Sequence, residues 1–177
     1  MTRRMLFMGA LTLALAIAGA RPAVADSPDE GFVREAASGG KIEVELGRYA
    51  SRNAADPQVK KFGERMVADH GKANAELERI AERESIVMPT DAAVADDPLV
   101  KELTALKGAD FDRKYMKAMV EDHEEDVAQF REMSQSAATP SVKTFAQKTL
   151  PTLQEHLKLA KEIAARVSGQ ASAADAP

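Results

Sequence analysis

The sequence has no cysteine and no tryptophan, and aromatic residues make up only 5% of its 177 positions. Without cysteine there is no disulfide framework, no thiol nucleophile and no Cys-x-x-Cys-His motif for covalent haem attachment. A Gly-rich phosphate loop is also missing, because "SGGK" at 38–41 lacks the spacing of one. No serine lies in a nucleophile-elbow motif. Hydrophobic packing must therefore stabilise the fold, and these enzyme classes are excluded.

Basic residues are outnumbered, since the chain has 24 Lys and Arg against 28 Asp and Glu and a net charge of −4. Three of the arginines, Arg3, Arg4 and Arg21, lie in the first 25 positions, where there is no acidic residue. The remainder thus carries 21 basic against 28 acidic residues. An acidic surface without a basic patch repels nucleic acid, so we expect no nucleic-acid partner.

Long hydrophobic runs are scarce too, and the one at the N-terminus has the features of an export signal. Arg3 and Arg4 precede an apolar run at 5–17, and "AVA" at 23–25 is a small-x-small cleavage site. The stretch "TRRMLFM" also resembles a twin-arginine signal. Because the run is too short to span a bilayer, we predict a signal peptide at 1–25, cleaved after Ala25. The mature protein would be periplasmic or secreted and have no transmembrane segment.

After Asp29 almost every segment has the apolar periodicity of an amphipathic helix, and none alternates like a strand. We predict four helices: an opening one interrupted by Gly39 and Gly40 and continued over 41–53, then 57 to about 85, about 110 to 137, and 140 to about 167. The segment 87–97 is predicted as a loop, and Pro98 opens a short helical lead-in. The fold class is therefore all-α, an antiparallel four-helix bundle over 26–167, followed by a disordered tail at 168–177.

Two short phrases recur in these helices. "MVADH" ends at His70 in the second helix, and "MVEDH" ends at His123 in the third. In addition, "DPQVKKFGERMV" resembles "TPSVKTFAQKTL", which aligns Pro57 with Pro140. A duplicated helical hairpin explains the second repeat, and chance similarity between amphipathic helices explains it equally well.

The chain has only three histidines, and each is predicted to face the core from a different helix. At about 100° per residue, His70, His123 and His156 fall on the apolar stripes of the second, third and fourth helices. Each directly follows an acidic residue: Asp69, Asp122 and Glu155.

Further carboxylates lie near the same level of the predicted bundle. Asp126 follows His123 by one turn, on the same face. In the first helix, Glu43 and Glu45 flank the apolar stripe equally, so the helical wheel does not choose between them.

This constellation has two interpretations. Imidazoles and carboxylates that converge in a bundle core can bind a transition metal such as iron, copper, zinc or manganese. The Glu-x-x-His motif of di-iron bundles is missing, however. Met66 and Met119, one turn before two of the histidines, suit a copper or haem site or simply fill the core. Alternatively the polar residues form a hydrogen-bond network, because an unpartnered buried polar group costs roughly 1–3 kcal/mol.

The sequence also resembles a known family. "GKIEVELGRYA", "VKKFGERMVADHGKANAEL", "GADFDRKYMKAMVEDHEEDVAQF" and "KTLPTLQEHLKLA" are similar to successive motifs of DUF4142, an exported bacterial domain of unknown function described as ferritin-like. The resemblance covers about Phe32 to Ile163. It implies a ferritin-like bundle outside the cytoplasm and prefers Glu43 over Glu45 as the acid of the first helix. It implies no settled activity, and "ferritin-like" describes shape rather than iron.

We predict a candidate site in which His70, His123 and His156 contact a metal. Its carboxylate ligands, or partners that orient the imidazoles, are predicted to be Glu43, Asp69, Asp122 and Asp126. The function would be metal handling or stress defence in the envelope rather than enzymatic catalysis; a metal-dependent oxidase would need two metals and more carboxylates. The alternative is a non-catalytic structural or interaction protein, with an inert polar core and an acidic surface for an envelope partner. The sequence leaves open the oligomeric state and whether segment 87–97 covers the site.

Overall fold

The computed structural model describes residues 27–174. All regular structure in this part of the chain is helical, and it comprises α1 Pro28–Asn53, α2 Pro57–Glu84, α3 Asp91–Ala95, α4 Pro98–Thr104, α5 Gly108–Ser136 and α6 Pro140–Ala174. The predicted signal peptide at 1–25 lies outside the described residues. None of the described helices is long and apolar enough to cross a bilayer.

Capping residues and prolines determine where the helices begin. Ser27, Asp56 and Asp97 accept hydrogen bonds from backbone N–H groups of the first turns of α1, α2 and α4, at 3.2, 2.7 and 2.8 Å. A proline follows each cap directly, at the first helical position, where its missing N–H is not needed. The predicted starts at Pro57, Pro98 and Pro140 are confirmed.

Three boundaries differ from the sequence prediction. Helix α1 runs through Gly39 and Gly40 without interruption, because packing of its apolar face outweighs the low helix propensity of glycine. The short helix α3 forms inside the predicted loop at 87–97. Helix α6 continues past Val167 into the predicted disordered tail, as far as Ala174, since the alanine-rich segment contains no proline that would end it.

Glycines allow α1 and α2 to approach closely at two places, one on each side of the buried residues Glu43 and His70. A Cβ atom added at Gly47 would lie 2.6 Å from the carbonyl oxygen of Gly63, and one added at Gly63 would lie 2.7 Å from that of Gly47. A Cβ atom at Gly40 would lie 2.4 Å from Oδ1 of Asn74. Glu43 of α1 lies between Gly40 and Gly47, and His70 of α2 lies between Gly63 and Asn74. These contacts bring Glu43 and His70 together.

The four long helices pack as two hairpins, α1 against α2 and α5 against α6, with further contacts between α2 and α6 and between α1 and α5. Their core consists of two apolar clusters. One includes Phe32, Ala37, Leu77, Val127 and Leu153; the other includes Leu46, Met66, Phe62, Met119 and Ala160. On every long helix a buried polar residue stands between the two clusters, which therefore enclose a polar layer: Glu43, His70, His123 and His156.

Candidate metal centre

The polar layer is almost completely buried. Glu43 is 1% exposed, His70 6%, and His123 and His156 0%. The predicted orientation of all three histidines toward the core is therefore confirmed. Glu45, in contrast, lies on the surface, so the structure supports the choice that the family resemblance made and the helical wheel could not.

Hydrogen bonds at the outer side of two histidines fix which ring nitrogens face inward. His123 Nδ1 lies 2.9 Å from the carbonyl oxygen of Met119, which can only accept a hydrogen bond. His156 Nε2 lies 3.0 Å from Oδ2 of Asp69. We infer that both of these outer nitrogens carry the ring proton. The inner nitrogens, Nε2 of His123 and Nδ1 of His156, then direct lone pairs at each other across 3.4 Å.

Glu43 adds carboxylate oxygens to the same space. Its Oε1 lies 3.4 Å from His123 Nε2, and its Oε2 lies 2.7 Å from His70 Nδ1. Neither approach has the alignment of a hydrogen bond, and among the described residues no donor satisfies either oxygen or the Nε2 atom of His70. The remaining polar neighbour of Glu43 is the carboxyl group of Asp122, which can bond to it only when one of the two is protonated.

Burial keeps the imidazoles neutral. The pKa of His123 is lowered to about 3 by burial and by the other two histidines. Burial likewise lowers the pKa of His156 to about 4, although the carboxylate of Asp69 acts in the opposite direction. The pKa of His70 is also lowered, again mainly by burial. At neutral pH no ring proton is therefore available to bridge the facing lone pairs of His123 and His156.

The same environment favours protonation of the nearby carboxyl groups. Burial, reinforced by the negative charge of Asp122, raises the pKa of Glu43 well above its usual value. Burial and the charges of Glu43 and Asp122 raise the pKa of Asp126 to about 8. The pKa of Asp122 is raised as well, chiefly by burial, while its side chain keeps 37% exposure. In the absence of a bound cation the cluster thus tends toward neutrality.

The structure brings together some of the predicted site residues and sets others apart. Donor atoms of His70, His123 and His156 lie within 4.8 Å of one another, and so do those of Glu43, Asp122 and His123. Asp126 joins neither group; it lies half-buried on α5, where burial and the nearby carboxylates of Glu43 and Asp122 favour its protonated form.

Asp69 lies at the outer edge of the cluster, where it contacts His156. Burial would raise its pKa, but hydrogen bonds with His156 and Arg65 lower it, so the carboxylate is ionised. Arg65 lies 3.3 Å from Asp69 Oδ2 and 2.7 Å from Glu155 Oε2. Sequence reasoning missed this outer role of Arg65. Its one signal was the i, i+4 spacing of Arg65 and Asp69, which is common on helical surfaces.

The hydroxyl group of Tyr115 is a further buried polar group near the cluster. The side chain is fully buried and stacks on Phe111, with ring centroids 5.2 Å apart. Its hydroxyl has no hydrogen-bond partner among the described residues. Burial and the charges of Glu43 and Asp122 raise its pKa well above the usual value. Met66 and Met119, by contrast, pack within one of the apolar clusters.

The segment at 87–97 packs against α1 through the short helix α3. Lys41 Nζ holds it through the carbonyl oxygen of Pro89, at 3.1 Å, and the carboxylate of Asp91, at 2.8 Å. A groove of about 470 Å³ lies between this segment, α1 and α2, and none of the candidate site residues is among those that line it.

In the part of the chain that the structure describes, an all-α fold surrounds the buried His/Glu cluster, which is the candidate metal centre of this helical protein. The chain belongs to the family "Domain of unknown function (DUF4142)", whose model matches residues 14–163. No curated protein sequence matches it.

Two solved structures are similar to it. One is a DUF305 fragment from Deinococcus radiodurans, with 16% identity and a TM-score of 0.67, over 80% of this chain and 98% of that one. The other, "putative secreted protein DUF305" from Streptomyces coelicolor, has 17% identity and a TM-score of 0.67, over 82% of this chain and 96% of that one. At these identities the likeness shows the fold alone, and it agrees with the predicted all-α, ferritin-like class.

Proposed function

We propose that this protein binds a transition metal ion in the polar layer of its core, for metal handling or stress defence in the cell envelope. The observation that carries the proposal is the 3.4 Å approach of two inward-facing imidazole nitrogens, His123 Nε2 and His156 Nδ1. Their lone pairs repel each other unless a cation lies between them, and burial opposes a bridging proton. A metal ion relieves this repulsion.

The donors suit such an ion. Neutral imidazole is a common ligand of zinc, copper, iron and nickel, and a carboxylate adds a negative charge. His70, His123, His156 and Glu43 would hold the metal, and Asp69 would orient His156 from outside, as acidic partners of ligating histidines commonly do. The two unpartnered oxygens of Glu43 and Nε2 of His70 would gain a partner. An unsatisfied buried polar group costs roughly 1–3 kcal/mol, so binding would offset several such penalties.

The alternative is an inert hydrogen-bonded core in a structural or interaction protein. The raised pKa of Glu43 favours it, because a proton shared between Glu43 and Asp122 would satisfy part of the cluster without metal. That proton does not lie between His123 and His156, however, and leaves their facing lone pairs unsatisfied.

Elemental analysis of the natively purified mature protein tests the proposal, provided that no chelator or metal-binding tag is used. We expect about one transition metal ion per chain, which a His70→Ala/His123→Ala variant lacks. Asp112→Asn, a buried polar substitution outside the cluster, is the matched control and should retain the metal. The unfolding free energy of the double variant should be insensitive to added metal, whereas that of the wild type should rise. A wild type that neither contains nor takes up metal would support the inert core instead.

Export is part of the same proposal. Its support is the signal-like segment at 1–25 and the description of the Streptomyces coelicolor neighbour. N-terminal sequencing of the protein from the periplasm or the medium should begin at Asp26; an uncleaved cytoplasmic chain would contradict export.

A further inference from the structure

The spacing of the polar layer also indicates which coordination geometry it accepts, and therefore which ion. We infer that the site is a tetrahedral zinc site whose protein ligands are one ring nitrogen each of His70, His123 and His156, with the carboxylate of Glu43 beside them. This inference rests on the proposed function and adds to it the identity of the ion and its coordination geometry.

The distances between donor atoms are the first support for a tetrahedral site. Ligand atoms about 2.05 Å from a tetrahedral zinc ion lie about 3.3 Å from one another. His123 Nε2 lies 3.4 Å from His156 Nδ1, so this edge of the three-histidine group has the tetrahedral length, and Glu43 Oε1 lies equally far from His123 Nε2. The other oxygen, Oε2, lies 2.7 Å from His70 Nδ1. The Nε2 atom of His70 has no hydrogen-bond partner among the described residues and is the donor assigned to the ion.

The arrangement of the rings supports the same geometry. The centroid of an imidazole ligand lies about 3.2 Å from zinc, which places two centroids about 5.2 Å apart at the tetrahedral angle and about 4.5 Å apart at the octahedral angle. The observed separations are 5.4 Å for His123–His156, 5.4 Å for His70–His156 and 5.7 Å for His70–His123. The three rings are thus spread too widely for one face of an octahedron and suit three corners of a tetrahedron.

The surroundings of the donors explain why zinc is preferred. Zinc has no geometric preference of its own and accepts mixed nitrogen and oxygen ligands, whereas magnesium and calcium need six or more oxygens. The two apolar clusters lie on either side of the layer, so the donors near the ion come from the layer itself: the three imidazoles and the carboxylates of Glu43 and Asp122. Three nitrogen ligands leave the fourth position of a tetrahedral ion to the carboxylate of Glu43 or to a water molecule.

Cobalt(II) titration of the chelator-treated mature protein tests this inference, because Co²⁺ takes the geometry that the site imposes and reports it by its visible absorption. We expect bands roughly tenfold more intense than those of octahedral Co²⁺, with saturation at one equivalent. Added Zn²⁺ should abolish them, and a large excess of Mg²⁺ should not. His156→Gln and His70→Gln should each lose the intense bands, whereas Asp112→Asn, remote from the layer, should keep them.

Equilibrium dialysis of the same samples separates the possible failures. Stoichiometric Co²⁺ with only weak bands would overturn the tetrahedral site and leave the proposed metal binding intact. No bound Co²⁺ or Zn²⁺ in the wild type would overturn both. Helical circular dichroism shows whether each variant is folded. If one histidine variant fails to fold, the absorption of the other variant provides the test. Unchanged intense bands in a folded histidine variant would also overturn the inference.

Discussion

Asp29 of α1 and Asp112 of α5 make equivalent contacts in opposite hairpins. Asp29 accepts hydrogen bonds from the backbone N–H groups of Ala138 and Thr139, in the turn between α5 and α6. Asp112 accepts them from Ala55 and Asp56, in the turn between α1 and α2. The first helix of each hairpin thus carries a carboxylate that accepts hydrogen bonds from the turn of the other hairpin.

A single spacing of 83 residues relates the two halves. It separates Asp29 from Asp112 and Pro57 from Pro140, and it also pairs Glu43 with Asp126. The reciprocal contacts favour the duplicated hairpin over chance similarity as the explanation of the repeat. The histidines do not follow the spacing, since His70 corresponds to Leu153. The histidines of the candidate site are therefore not part of the repeat.

Removing either carboxylate should destabilise the fold. In Asp29→Asn and Asp112→Asn the new amide can accept only with its oxygen, which leaves backbone N–H groups without partners. We expect each substitution to lower the unfolding free energy by about 1–3 kcal/mol, measured by urea denaturation. Asp110→Asn, exposed in the first turn of α5, is the matched control and should change it by about 0.5 kcal/mol or less. Equal effects at 110 and 112 would argue against the reciprocal contacts.

Two classes of helical glycine should respond in opposite ways to alanine. Gly47→Ala places a methyl group 2.6 Å from the carbonyl oxygen of Gly63, so the helices must separate. We expect a loss of about 1–3 kcal/mol in unfolding free energy. Gly71→Ala and Gly39→Ala meet nothing within 4 Å and should instead gain about 0.5–1 kcal/mol, because alanine favours the helix. Thermal denaturation of the three variants provides the comparison, and a gain at Gly47 would contradict the close crossing of α1 and α2.

These glycines mark the limit of what the sequence could predict about the fold. The helical period and the prolines at 57, 98 and 140 placed the long helices, since both signals are local. Gly39 and Gly40 were interpreted as an interruption because glycine has a low helix propensity. Gly40 is explained by the close approach of α1 to Asn74 of α2, and no local pattern encodes such a contact.

For the candidate site the sequence predicted which residues face inward. It did not predict which of them lie among the imidazole rings and which contact the rings from outside. Helical angles placed His70, His123 and His156 in the core, and the structure agrees. Distances across the bundle determine that Glu43 lies among the rings while Asp69 lies outside them. These distances depend on the relative heights of four helices, which the periodicity of a single helix does not determine.

The metal-free protein should lose stability as the pH rises from 6.5 to 8. The pKa of Asp126 is about 8 in the folded protein, chiefly because of burial, and about 3.9 in an unfolded chain. In this window the folded state releases a proton that the unfolded state has already lost, so the unfolding free energy falls with pH. The histidines partly offset this loss near pH 6.5, because their folded pKa values are lowered while an unfolded imidazole is still about half protonated there. The comparison with an Asp126 variant cancels their contribution.

Urea denaturation in the presence of chelator at pH 6.5 and 8.0 measures this loss. Asp126→Asn cannot titrate and should have a clearly shallower slope, by up to about 1.4 kcal/mol per pH unit for one proton. Glu125→Gln, its exposed neighbour on α5, should retain the wild-type slope. An identical pH dependence in wild type and Asp126→Asn would show that Asp126 titrates normally.

Asp69 should control metal affinity without binding the metal itself. Its Oδ2 lies 3.0 Å from His156 Nε2 and holds the proton on that nitrogen, so Nδ1 keeps the lone pair that faces His123. In Asp69→Ala the ring is free to take the other tautomer, with a proton directed into the site. We expect about 10–100-fold weaker metal binding, as for other partners of ligating histidines, measured by competition with a chromophoric chelator at pH 7.5. Glu155→Gln weakens only the exposed partner of Arg65 and should change the affinity little. If Asp69→Ala binds as tightly as wild type, the inward lone pair of His156 does not depend on Asp69.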